Sequence, residues 1–132
     1  MKNSAFLGTI YLGDRAARQC IIDFDNNALL MKIDCISRVR DKYWNFYIDE
    51  DLYDGYLVFE DIAFLEFEDS TPPRNGDIGS IDVLSENDDL TVFEIRLGFL
   101  KLQSGYARTV FRIGFKTLCL QATDDPSSRI RD

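Results

Sequence analysis

The sequence predicts an all-β fold, a single-domain antiparallel β-sandwich or open barrel of eight or nine strands, on three observations. Apolar and polar side chains alternate with period two along most of the chain, the signature of strands with one face in a core. Turn-forming Gly, Asn, Asp and Pro separate these runs at short intervals. The 132 residues, 45% hydrophobic and 29% charged, suit one globular domain able to bury a core without staples.

The elements follow in order. Residues 6–12, 18–24 and 29–36 read as an N-terminal meander of three strands, parted by Gly13-Asp14 and by Asp25-Asn26-Asn27. Residues 43–48 form the next strand, with Trp44, Phe46 and Ile48 on one side and Tyr43, Asn45 and Tyr47 on the other. After a polar connection, residues 56–67 return to strand character, although Phe59, Ile62, Ala63 and Glu66 also fit helical spacing; β-branched and aromatic content favours strand. Pro72-Pro73 and Asn75-Gly76 mark a loop. A short strand at 78–84 and a loop at 85–89 come next. The alternations Thr91/Phe93/Ile95/Leu97 and Thr109/Phe111/Ile113/Phe115 predict a terminal hairpin turning at Gln103-Ser104-Gly105. Trp44, Phe46, Phe93, Ile95, Phe111, Ile113 and Phe115 are the expected shared core. The tail 124–132 holds few apolar groups and is expected to fray.

Three cysteines without CxxC spacing predict neither a disulfide framework nor a zinc site. Each falls on the apolar side of a strand, Cys20 with Ile22 and Phe24, Cys35 with Met31 and Ile33, Cys119 with Phe115, so three buried, unreactive thiols are expected. No run approaches the ~20 apolar residues of a membrane span, and no signal-peptide core follows Met1. A cytoplasmic location without membrane association is the expectation.

Charge is strongly segregated. Residues 41–94 carry 16 acidic and 2 basic side chains, whereas the rest carries 7 acidic and 13 basic, within an overall net of −8. Such a field repels nucleic acid and attracts basic partners. A basic stripe of Arg108, Arg112 and Lys116, with Arg96 opposite, is expected to pair with carboxylates on adjacent strands.

The chain has no histidine. A Ser-His-Asp or Cys-His nucleophile and a His-ligated metal are therefore excluded. No phosphate-binding glycine motif occurs. Residues 49–60 depart from an EF-hand loop, because Tyr53 stands where a ligand is needed and Gly55 is one place late. A carboxylate hydrolase using Asp51, Asp54, Glu60 or Glu66, a small-ligand domain, and a calcium site joining Asp49, Asp51 and Asp54 to Glu86, Asp88 or Asp89 are the alternatives. The leading expectation is a non-enzymatic module without cofactors that binds a basic protein partner. Its surface would be Tyr43, Tyr47, Asp49, Asp51, Tyr53, Asp54, Tyr56 and Glu60, with aromatics as anchors and carboxylates for steering. Self-association as a homo-oligomer is left open.

The runs Phe6-Leu7-Gly8-Thr9-Ile10-Tyr11-Leu12-Gly13-Asp14-Arg15, Ile36-Ser37-Arg38-Val39-Arg40, Trp44-Asn45-Phe46-Tyr47 and Asp54-Gly55-Tyr56-Leu57-Val58-Phe59-Glu60 resemble a family of short bacterial proteins of uncharacterised function. That resemblance implies a bacterial source and carries no site residues. By analogy the chain is also similar to small acidic immunity proteins that neutralise a basic toxin.

Overall fold

The computed structural model describes residues 1–39, 50–68, 74–101 and 105–132. A short helix, α1 (Asn3–Leu7), precedes β1 (Ile10–Tyr11), β2 (Ala16–Asp23), β3 (Ala28–Ile33), β4 (Cys35–Arg38), β5 (Leu52–Tyr53), β6 (Tyr56–Glu60), β7 (Phe64–Phe67), β8 (Gly76–Glu86), β9 (Thr91–Lys101), β10 (Gly105–Phe115) and β11 (Thr117–Gln121). The protein is thus all-β, with a large antiparallel sheet ordered β11-β6-β3-β2-β8-β9-β10-β7 and a small one ordered β1-β4-β5.

The large sheet curls round its core without closing into a barrel. β6 and β7 are three residues apart in sequence, yet stand second and last in the strand order. β10 and β11 are likewise joined through Lys116 alone, and backbone bonds from Ala63 to Gly114 and from Lys116 to Glu60 stitch this corner. β7 is therefore turned back toward β2. Asn27, in the β2–β3 turn, exchanges hydrogen bonds with Ile62 just before β7. At the other end of β2, the side-chain amide of Asn75 donates to the Arg18 carbonyl. Between these ties β2 pairs with β8 only at Ala16 and Ala17, and β7 pairs only with β10, among the described residues. A seam remains there.

The core contains Phe93, Ile95, Phe111, Ile113 and Phe115 together with Leu29, Met31, Leu57 and Phe59. Phe115 lies edge-to-face with both Phe59 and Phe93, at 5.0 and 4.9 Å between ring centres. Trp44 and Phe46, with the strand expected at 43–48, fall outside the described residues. The terminal hairpin forms as predicted, paired from Gly105 opposite Lys101 to Phe115 opposite Thr91, so that Gly105 belongs to β10 rather than to the turn.

Five expectations are corrected. The strand at 6–12 gives way to α1 and the two-residue β1, which pairs with β4 rather than β2. Phe6 is buried under the Arg38 guanidinium, 5.2 Å from its ring centre. The strand at 56–67 breaks at Asp61, whose φ of 55° sits in the left-handed region that short polar side chains tolerate. A bend at Asp34 ends β3, so that Ile36 rather than Cys35 continues the buried row after Ile33. These bends raise the strand count above the expected eight or nine. The segment 124–132, expected to fray, folds back instead: Ile130 exchanges both backbone hydrogen bonds with Leu120. Asp14 and Asn27, in the predicted turns, do take positive φ.

Candidate functional site

The acidic connection ahead of β6 is built on a backbone held from two sides. Cys35 pairs with Tyr53 and Ile36 with Leu52, and Asp54 N–H donates to the Asp34 carbonyl at 3.0 Å. From the C-terminal side the Thr123 hydroxyl donates to the carbonyls of Tyr53 and Asp54. Gly55 is buried where a Cβ would press on Leu52 at 2.8 Å, which makes the turn tight. The result presents Tyr53 69% exposed beside the exposed Asp54 and the half-buried Asp51. Asp124, next to Thr123, is exposed too. None of these three carboxylates has a cationic partner among the described residues.

Two other expected binding residues are engaged within the molecule. Tyr56 is half-buried, with the Lys32 ammonium 5.9 Å from its ring centre. Glu60 receives Arg131 at 2.6 Å and Arg129 at 3.9 Å, and the Cys119 thiol points at it from 3.5 Å. The Arg131 hydrogen bond holds the Glu60 carboxyl below its ordinary value, while burial first, then Glu60, pushes Cys119 up to about 12. Tyr43, Tyr47 and Asp49 lie outside the described residues. The surface brought together is therefore Asp51, Tyr53 and Asp54, joined by Asp124. Sequence reading missed Asp124 and the tail arginines because the return of residues 124–132 carries no local signal.

Two members of the basic stripe, Arg96 and Arg112, pair with carboxylates as expected, whereas Arg108 and Lys116 have no carboxylate partner among the described residues. Across β8, β9, β10 and β7, Asp82, Glu94, Arg112 and Glu66 stand in one cross-strand row. Arg112 reaches Glu94 at 3.1 Å and Glu66 at 3.3 Å, and Arg96 takes the other Glu94 oxygen at 2.7 Å. The hydrogen bond from Arg96 is the main cause that lowers the Glu94 pKa.

Among the described residues no three acidic or thiol groups come together as metal ligands. The hollow that contains Glu86 and Asp88 also contains Lys2 and Lys116, and Glu86 is taken by the backbone and hydroxyl of Ser4. No helix among the described residues is long and apolar enough to cross a membrane.

The thiols need correction: only Cys119 is buried, Cys35 is half-buried and Cys20 is exposed. Cys20 does share its face with the core residues Met31 and Leu29, as the alternation predicts, but that face looks into the seam. Apolar neighbours at the seam still push its thiol up to about 11.

No curated protein and no solved structure matches the chain. One family model matches residues 1–132 in full, consistent with the resemblance to short proteins of uncharacterised function, and the chain belongs to that family of unknown function, DUF6258.

Proposed function

We propose that this chain is a cytoplasmic, non-catalytic protein-binding module that takes a basic partner on the acidic corner formed by Asp51, Tyr53, Asp54 and Asp124. One observation carries the reading: a largely exposed tyrosine stands among carboxylates that have no cationic partner among the described residues, on a turn fixed by Thr123 and Asp34. An anchor on fixed backbone loses little entropy on binding, and free carboxylates accelerate encounter with Lys and Arg. Glu60 and Tyr56 are engaged by Arg131 and Lys32 within the molecule, which leaves Asp51, Tyr53, Asp54 and Asp124 to meet the partner. An inhibitor of immunity type fits this arrangement.

The test is a pull-down from the source cell with the intact chain, followed by association kinetics on the captured basic protein. Binding should weaken steeply with salt, since charge steering is screened beyond about 8 Å at physiological ionic strength. Asp51→Asn with Asp54→Asn should slow association, while Tyr53→Ala should mainly speed dissociation. Salt-insensitive capture, or capture unchanged in these variants, would remove the corner as the interface. A calcium-induced rise in melting temperature lost in the double Asn variant would make the carboxylates ligands and overturn the reading.

A further inference from the structure

We propose that the open seam of the large sheet binds a small amphipathic monocarboxylate, a medium-length straight-chain fatty acid, with its tail in the apolar cleft and its carboxylate on Arg74. The cleft measures about 260 Å³ and lies where β2 and β7 fail to pair. Ile22, Leu65, Phe67 and Phe111 wall it, and Leu29 and Leu97 floor it. Ile22 is 50% and Phe67 39% exposed, so apolar surface that the strand pattern assigns to a core face meets water. A matching apolar tail would remove that surface from solvent.

The charge at the cleft decides what kind of tail-bearing molecule fits. Arg74 is the single basic residue between Lys42 and Arg96, in the most acidic part of a chain of net charge −8. It is also the single charged group lining the cleft. Arg96, Arg112, Arg129 and Arg131 all carry a carboxylate partner, whereas Arg74 has none among the described residues. Its backbone N–H donates to the hydroxyl of Thr109, another lining residue, which holds Arg74 beside the cleft, and its guanidinium rests 5.4 Å from the Phe99 ring centre. A planar guanidinium so held takes a carboxylate through two parallel hydrogen bonds. One cation beside the neutral Asn75 and Thr109 suits a monoanion. The volume suits a tail of roughly eight to twelve carbons, below the usual drug-sized pocket. This site is separate from the acidic corner and does not depend on it.

Cys20 lines the same cleft and serves as the reporter. Its alkylation by maleimide at mildly alkaline pH is followed by mass spectrometry on the full chain, with Cys35 as internal control. Decanoate should protect Cys20 saturably below its micelle-forming concentration and leave Cys35 unaffected. Octanoate should bind on the order of tenfold more weakly, because two buried methylenes are lost. Decanol should bind roughly ten- to a hundred-fold more weakly than decanoate, and Arg74→Gln should weaken decanoate by the same factor without moving the melting temperature. Asp51→Asn with Asp54→Asn should leave protection intact. The proposal is overturned if decanoate gives no saturable protection, if decanol protects as well as decanoate, or if Arg74→Gln changes nothing. It is also overturned if protection without decanoate rises with protein concentration, since a second copy would then fill the seam.

Discussion

At the scale of single residues, two phenylalanines on one strand separate burial from enclosure. Phe115 is enclosed by Phe59 and Phe93, whereas Phe111 is buried yet forms part of the wall of the seam and packs 5.3 Å from Phe67. Truncating either to Ala should cost about 3–5 kcal/mol. Phe115→Ala should fall at the upper end, because its cavity is lined on all sides, and Phe111→Ala at the lower, because its space merges with a solvent-open cleft. Equilibrium denaturation of the two variants checks the order; an unchanged Phe111→Ala melt would place that ring outside the core. Glu94 makes the second case. Its folded pKa is lowered from the ordinary 4.5 by Arg96 and Arg112, so its stabilisation is fully present above 4.5 and lost as pH falls through the folded value. Glu94→Gln should therefore flatten the acid limb of a stability–pH curve below that point. An acid limb identical to the parent's would show that the row on the outer face is not coupled to folding.

At the scale of elements, β8 shows how the backbone itself sets a register. It begins at Gly76, opposite Ala17 on β2, and is irregular at two places along β9. A Cβ at Gly76 would fall on the Gly98 carbonyl of β9, a backbone atom that cannot rotate away. Gly76→Ala should cost about 1–3 kcal/mol, the usual range for forcing extra volume into a packed site. Amide exchange should report the loss in the Gly76–Ser80 half of β8 first, and uniform protection would contradict the close approach. The C-terminal return behaves as an element too, although among the described residues its only ladder contact is Leu120 with Ile130. Arg129 and Arg131 add charge on Glu60, and Thr123 adds the bonds that hold the acidic corner. Hydroxyl, guanidinium and one apolar side chain thus replace the strand pattern by which sequence reading recognises order.

At the scale of the whole molecule, the open seam makes the three thiols unequal. Cys20 should react with maleimide in the native state, slowly because its pKa is about 11, and Cys119 should react only on unfolding, being buried with a pKa pushed up to about 12. Mass spectrometry of the native protein after partial labelling checks this; equal labelling of Cys119 would mean that the β6–β11 wall opens freely. The same seam leaves the curled sheet, eight strands among the described residues, with an edge at β7 that pairs with none of them beyond β10. That edge is short and carries Glu66, features that discourage edge-to-edge pairing.

The sequence alone determined the faces of most strands, several of the turns and the segregation of charge, because these are local properties. Successive side chains on a strand point to opposite sides whatever lies beyond, so Phe93, Ile95, Ile113 and Phe115 were assignable to a core from alternation. Asp14 and Asn27 occupy positive φ for equally local reasons. Only the tertiary structure decided what covers each face and which carboxylates stay free. Cys20 and Ile22 point to the core side and remain exposed, since β7 returns beside β2 without pairing to it. Asp54 and Glu60 look alike in one acidic run, yet Glu60 is held by an arginine 71 residues away and Asp54 is not. Contacts over such separations depend on chain path and loop closure, and no window of neighbouring residues contains them.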